Sequence, residues 1–300
     1  MIATSLESKQ CAVCCSDGPE LLFLKFGYRI VRCRRCSLVY LDHRPSRAEI
    51  SSFYSSGYFN GDEDRKGYAD YMADEEPLRL SFRRKLEKLE RIRRPGTLLD
   101  VGCATGFFLD EARARGWVVF GQEVSEYAAG IARQKLGDVV FTGYVESIAL
   151  PEATVDVVTM WDVIEHLEEP AQVLRRLRRL LKDDGLLVLC TGNVDSWLAR
   201  LQGRRSRIYN PPQHLFFYSP STLRKLLAEA GFRVLDTRVE WKTMSLRYFS
   251  YVLACLNSNP LSRALRRATS RGRLGGLTFG LPLVDNMQIY AVKAGPERLA

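Results

Sequence analysis

The sequence predicts an α/β fold, a seven-stranded and mostly parallel sheet with helices on both faces, placed behind a small N-terminal cysteine module. Three observations carry that prediction. From Thr97 onward, apolar runs expected as strands (97–102, 117–123, 138–142, 155–161 and 185–191) alternate with segments of helical period at 106–116, 125–136 and 170–182. Alternating βα units build parallel sheets that are covered on both sides. The first apolar run, LLDVGCATG at Leu98, ends in a glycine turn that opens a helix. Ahead of it, two C-x2-C pairs fall within the first 36 residues.

The N-terminal module is expected over residues 1–45. Cys11 and Cys14 form one pair, and Cys33 and Cys36 the second, after an 18-residue gap. Two such knuckles match a four-thiolate tetrahedral zinc site of zinc-ribbon type. A module this short cannot bury enough apolar surface to fold alone, so the metal would supply its folding energy. Cys15 adjoins the first pair and is the spare thiol. Residues 46–96 read as a cap and linker. Tyr54, Tyr58, Phe59, Tyr68 and Tyr71 supply rings, and a helix from Leu78 to Ile92 carries Leu78, Phe82, Leu86 and Leu89 on one face before Pro95-Gly96.

The main domain is expected over 97–300. Its helix at 170–182 is apolar at Val173, Leu174, Leu177, Leu180 and Leu181, with Arg175, Arg176, Arg178 and Arg179 as a solvated outer face. Lys182-Asp183-Asp184-Gly185 reads as a tight turn into the next strand. A helix at 219–231, capped by Ser219 with Pro220 behind it, leads to a strand at 232–240, and a last strand at 286–293 closes the sheet. Residues 243–284 form an insertion, helical at first and glycine-rich later.

The glycine turn has the spacing D-x-G-x-x-x-G, from Asp100 through Gly102 to Gly106, rather than the G-x-G-x-x-G of dinucleotide enzymes. Glycines let backbone amides approach a ligand closely, and a helix that starts there favours a polar ligand. A second strand, Val118 to Gly121, ends at Glu123, 17 residues past Gly106. An acid at that strand end can accept from both hydroxyls of a ribose.

With VVFGQEVS, VDVVTMWDVIEHL and LLKDDGLLVLCTGN following LLDVGCATG, the chain resembles class I S-adenosylmethionine (AdoMet) methyltransferases over about residues 97 to 240 and the last strand. The resemblance implies a Rossmann-like sheet and AdoMet as cofactor. It places the methionine end on Asp100 and the turn Gly102, Cys103, Ala104, Thr105 and Gly106, and the ribose on Glu123 beside Val124. It places the adenine against Tyr144, Val145 and Glu146, and the sulfonium end near Trp161 and Asp162. Tyr144 stands where many relatives carry an acid, so a ring contact or Glu146 would take over there. The four-cysteine module and HLFFYSPSTLRKLLAEAGF point to the small-molecule branch, which includes quinone-type O-methyltransferases.

An oxygen or carbon acceptor must lose a proton during methyl transfer, and histidine suits that task. Of the three histidines, His43 leaves the cysteine module. His214, in the loop after the fifth strand, and His166, after Glu165, are the candidate bases. In quinone-type relatives such a Glu-His pair can also belong to a divalent-metal site.

The 300 residues carry a net charge of +9 and 46% hydrophobic residues, with no run long and apolar enough to span a bilayer. The N-terminus lacks an apolar signal segment, so a cytoplasmic protein is expected, and eight cysteines then point to metal or free thiols rather than disulfides. Arg200, Arg204, Arg205 and Arg207 cluster, which favours an anionic acceptor, and the resemblance implies a small molecule of sugar or natural-product type. Lys242, Arg247, Arg263, Arg266, Arg267, Arg271 and Arg273 fall in a stretch without an acid between Glu240 and Asp285. The 243–284 segment therefore admits three readings: a lid over the acceptor, a surface for anionic membrane presenting a lipid-linked acceptor, or a packed helix pair with a basic outer face. The alternative function is RNA methylation, with the module and the charge binding RNA. Against it, Trp161-Asp162-Val163-Ile164 replaces the N/D-P-P-Y/F of enzymes that methylate base amines.

Overall fold

The computed structural model describes residues 10–45, 49, 71–256, 259–270 and 273–295. Tyr54, Tyr58, Phe59, Tyr68 and Arg271 lie outside the described residues.

Seven strands form one sheet in the order β10-β11-β8-β7-β4-β5-β6. They are β4 (Thr97–Val101), β5 (Val118–Glu123), β6 (Val140–Thr142), β7 (Val155–Trp161), β8 (Leu181–Gly192), β10 (Phe232–Ser245) and β11 (Thr278–Lys293). Within it, β11 runs antiparallel to both neighbours, and β4, β5, β6, β7 and β8 pair in parallel. The chain winds outward from β4 to β6, then crosses back to β7. The strand order therefore reverses at β4 and β7, and an open α/β sheet binds its ligand in the crevice beyond such a pair.

The strands are apolar on both faces because helices cover both. Leu99, Val101, Val158, Met160, Leu187 and Leu189 enter one buried cluster, while their neighbours Leu98, Val157, Leu186 and Val188 enter the other. This is the two-residue alternation of a strand, buried on each side. The covering helices are α1 (Glu75–Glu90), α2 (Phe107–Ala114), α3 (Glu126–Leu136), α4 (Pro170–Leu180) and α6 (Pro220–Glu229), with the short α5 (Trp197–Gln202) following β8. Ser219 caps α6 in a reciprocal capping box with Thr222, and Ser125 caps α3, each contributing about 1 kcal/mol.

Two expected boundaries move. Val155 pairs with Leu181 and Val157 with Leu186, so residues 182–185 leave the ladder as the anticipated turn inside a longer β8. The insertion does not begin as a helix. β10 and β11 continue past the sheet as one antiparallel ribbon, pairing as far as Ser245 with Thr278. At its end sit α7 (Leu246–Leu256), α8 (Pro260–Thr269) and a short turn of helix at Arg273–Gly276. The polar and glycine residues of this ribbon hid its strand period.

A second, four-stranded sheet has the order β1-β2-β3-β9, with β1 (Glu20–Lys25), β2 (Tyr28–Arg32), β3 (Val39–Leu41) and β9 (Phe216–Phe217). The segment Glu20–Leu41 supplies three strands, and the loop carrying His214 supplies the fourth, with Tyr40 opposite Phe216 and Val39 opposite Phe217. Buried Cys11, Cys33, Cys36, Leu38 and Tyr40 belong to the same packed cluster as Leu99 and Met160 of the main sheet.

Candidate functional site

Beyond β4 and β7 lies one cavity of about 720 Å³. Its first wall is the turn after β4. Gly102 sits at φ +71, and a Cβ there would come within 2.6 Å of Val163 Cγ2. Only glycine fits that conformation and that space. The turn is held against β5 from below, as Gly102 N–H donates to the Gln122 carbonyl at 2.7 Å and Cys103 N–H to the same oxygen at 3.0 Å. Ala104, at φ +48, is a non-glycine in the left-handed region, and its N–H donates to Glu123 Oε2 at 2.8 Å. That charge-assisted bond offsets backbone strain at the ligand-facing point of the loop.

Asp100 and Glu123 end β4 and β5 as buried carboxyls. Burial pushes Asp100 up to about 8, against a hydrogen bond at 2.6 Å from Thr159 Oγ1 and the charge of Lys85. Burial also raises Glu123, while N–H donors from Ser125 and Ala104 pull it back. Lys85 reaches the cavity from α1, its ammonium 4.1 Å from the Trp161 ring centroid. Cys103, Ala104, Val124, Tyr144, Val145, Glu146, Trp161 and Asp162 complete this half of the lining. Thr105 and Gly106 do not reach the wall. Thr105 is fully buried, and Gly106 opens α2 at φ +81, where a Cβ would strike Leu136 Cδ1 at 2.8 Å. Both residues shape the turn.

The cavity continues past Trp161 to the histidines. His166 Nδ1 lies 2.9 Å from the Gln213 carbonyl and His214 Nδ1 2.7 Å from the Ile208 carbonyl. A carbonyl can only accept, so each Nδ1 carries the proton and each Nε2 keeps its lone pair. Burial lowers His166 to about 3 and His214 to about 4, so both rings are neutral near pH 7. For His214 the Ile208 carbonyl and the charge of Asp162 work against that burial. Glu165 is pushed upward by burial and by Asp162, and its Oε2 finds no partner among the described residues. Glu165, His166 and His214 bring one ligand atom each within 4.8 Å of one another. His43 stands apart, beside Asp42 in the N-terminal module.

The far end of the lining includes Lys25 of β1 together with Arg204 and Arg205. Lys25 Nζ donates to the Ser206 carbonyl at 2.9 Å, and burial lowers it to about 8. Arg207 lines the cavity too, but its charge is already paired: it forks onto Asp285 at 2.9 and 3.1 Å and reaches Asn286 at 2.8 Å. Arg200 pairs with Asp195 at the surface. Lys85, Lys25 and Asn286 escaped the sequence reading. A signal existed for Lys85, a lone cation in the apolar stripe Leu78, Phe82, Leu86 and Leu89.

Cys11, Cys14, Cys33 and Cys36 converge, with Cys11 and Cys36 sulfurs 3.4 Å apart, Cys14 and Cys33 sulfurs 3.4 Å apart, and all four within 4.8 Å. Cys15 is exposed.

A parallel sheet with this switch point, a glycine turn shaped for a close ligand, and acids at two adjacent strand ends define a class I AdoMet-dependent methyltransferase. Trp161 Nε1, buried without a partner among the described residues, lies on the cavity wall where a nucleoside cofactor would fit. A family model described as a methyltransferase domain matches residues 71–237, more than half the chain, and the protein belongs to that family. A ubiquinone biosynthesis O-methyltransferase of Neisseria meningitidis is 28% identical over 214 residues, covering 64% of this chain and 88% of that protein. A probable S-adenosylmethionine-dependent methyltransferase of Mycobacterium tuberculosis is 32% identical over 136 residues, 45% of this chain and 48% of that one. In fold, the chain is similar to magnesium protoporphyrin IX methyltransferase of Synechocystis with bound S-adenosylhomocysteine (AdoHcy), at TM-score 0.52, 16% identity and coverage of 83% and 100%. It is also similar to a Burkholderia thailandensis 1,6-didemethyltoxoflavin-N1-methyltransferase, at TM-score 0.50, 17% identity and coverage of 92% and 100%.

Proposed function

We propose that this enzyme methylates a small molecule of sugar or natural-product type that carries an anionic group, with His214 taking the acceptor proton. The observation that carries the reading is one continuous cavity joining the glycine turn to the His166–His214 pair and then to Lys25, Arg204 and Arg205. AdoMet, when bound, supplies an already activated methyl group. The protein then has to align the acceptor and remove its proton. Asp100 and Lys85 suit the ammonium and carboxylate of the methionine end, Glu123 the ribose, and Tyr144, Val145 and Glu146 the adenine. His214 presents a neutral Nε2 and has the less depressed basicity of the pair, while His166 packs against its ring and orients it. The ubiquinone-pathway and toxoflavin relatives are small-molecule enzymes by their names, and nothing among the relatives named above favours RNA.

The test is transfer of labelled methyl to a panel of phosphorylated and carboxylated small molecules beside neutral counterparts. Label recovered in an anionic acceptor, with KM raised by Arg204→Ala and Arg205→Ala and kcat lowered by His214→Ala, supports the reading. Label recovered only in RNA overturns it.

A second reading is favoured by the convergence of Glu165, His166 and His214. Imidazoles that give Nδ1–H to a carbonyl are oriented as metal ligands commonly are. A divalent cation held there would polarise an acceptor oxygen. Activity abolished by a chelator that leaves the cysteine-bound zinc in place, and restored by a divalent cation, selects this reading; indifference to chelation rejects it.

We place a structural zinc on Cys11, Cys14, Cys33 and Cys36. Tetrahedral zinc thiolates hold their sulfurs about 3.8 Å apart, close to the spacing found. The cation would also stabilise the thiolates that burial now opposes at Cys11 and Cys36.

A further inference from the structure

We infer that the tip formed by α7, α8 and the Arg273–Gly276 turn docks on an anionic lipid surface. From Trp241 to Val284 the chain has seven basic residues and no acid. Helix α8 divides into three stripes by its period. Ser262, Leu265 and Thr269 face the protein, while Arg263, Arg266 and Arg267 form one exposed flank and Leu261, Ala264 and Ala268 the other. Exposed leucines accompany the charge, with Leu261 at 78%, Leu274 at 51% and Leu277 at 58% exposure. Basic side chains alone would fit any polyanion. Leucines held in water beside them fit the boundary between headgroups and acyl chains, where apolar burial adds to charge attraction. A nucleic acid matches the charge, but it has no acyl layer to receive three separate exposed leucines.

The tip is also part of the cavity. Tyr248, Tyr251 and Val252 of α7 line it, and Arg266 lies over the Tyr251 ring at 5.2 Å. Docking would therefore set the acceptor end of the site against the membrane, within reach of a lipid or a lipid-linked molecule. The inference goes beyond the proposed reaction and does not depend on it.

The test is flotation of the full chain with vesicles of phosphatidylcholine alone and of phosphatidylcholine mixed with phosphatidylglycerol. Two double variants, Arg263→Glu with Arg267→Glu and Leu261→Ser with Leu277→Ser, are compared with wild type, and AdoHcy binding is measured on each to show that they fold. None of these four residues lines the cavity. The expected result is salt-sensitive flotation with the anionic vesicles only, weakened at least about tenfold by the arginine pair and also weakened by the leucine pair. No flotation at low salt overturns the inference. Flotation unchanged by the leucine pair overturns it as well, because adhesion would then be charge alone. A gel shift with RNA in the absence of vesicle binding overturns it in favour of a nucleic-acid surface.

Discussion

The rings of His166 and His214 meet edge to face, their centroids 4.8 Å apart and their planes at 89°. Each holds the other in place while its own Nδ1 is fixed by a backbone carbonyl. The two residues are 48 positions apart in sequence. Their meeting depends on the loop after β8 folding back over the end of β7, where Leu215 N–H reaches the Glu165 carbonyl at 2.8 Å.

Replacing either ring separates its roles. His214→Ala is expected to lower kcat by about 10²- to 10⁴-fold, the usual range for a general base, with AdoHcy affinity unchanged. His166→Gln is expected to lower kcat less, and to shift the pH profile rather than remove it. Stopped-assay pH profiles check this. Equal loss in both variants with an unaltered profile would remove His214 from the role of base.

Gly102→Ala brings a Cβ to within 2.6 Å of Val163 Cγ2 at a φ of +71. The left-handed region alone costs a non-glycine residue about 1–2 kcal/mol. AdoHcy affinity should fall at least about tenfold, equivalent to about 1.4 kcal/mol, as measured by calorimetric titration. The double variant Gly102→Ala, Val163→Ala should recover part of it. No recovery would mean that backbone strain dominates over the contact.

Lys85 can be tested with two ligands. Lys85→Met should weaken AdoHcy binding while leaving 5′-methylthioadenosine, which lacks the amino acid end, bound as before. Equal weakening of both would mean that Lys85 acts only through packing on Trp161.

The raised Asp100 carboxyl gives a linked proton. Its pKa is about 8 in the folded chain and about 3.9 when unfolded. Between those values the folded state holds a proton that the unfolded state has released, so this group makes stability fall as pH rises toward 8. His166 and His214 oppose that slope only below about 6.5, their ordinary value, where the unfolded chain protonates them. Glu165, also raised to about 8 by burial, adds a slope of the same sign, so between about pH 6.5 and 8 the Asp100 part is the slope that Asp100→Asn removes. AdoHcy, bringing an ammonium to Asp100, should release a proton at pH 7. Calorimetry in buffers of different ionisation enthalpy measures that proton, and Asp100→Asn should abolish it.

For the cysteine site, elemental analysis of the purified chain should give one zinc. Cys33→Ser should lose it and expose residues 10–45 to protease. A wild-type chain that is metal-free and equally protease-resistant removes the zinc.

The cavity wall at the ends of β4, β5 and β7 was legible because its residues close apolar runs and glycine leaves a local mark. Asp100, Gly102, Ala104, Glu123 and Trp161 each fall where their own strand ends, and strand ends can be read from apolar runs. The acceptor half was not. Lys25, Asn286 and Tyr251 come from three distant segments, and only the packing of β1, β11 and α7 brings them to one cavity. The pairing of Arg207 with Asp285 was hidden for the same reason, so an arginine neutralised by a buried acid looked like part of a basic cluster. The length of β10 and β11 was masked because a two-stranded ribbon beyond the sheet needs no continuous apolar face.

The pairing of β3 with β9 has a consequence for the nascent chain. Synthesis proceeds from the N-terminus, so β3 is complete at Leu41 and its partner arrives only at Phe217. At about 5–20 residues per second, the edge of β3 waits roughly nine to thirty-five seconds for its closing strand. An open strand edge recruits other chains. Bound zinc would keep the cysteine loops of the waiting module from sampling such contacts. A stalled-ribosome series should therefore show a metal-dependent window of protease protection for the module before residue 217 emerges, and growth under zinc limitation should raise the aggregated fraction of new chains without changing the stability of those already folded.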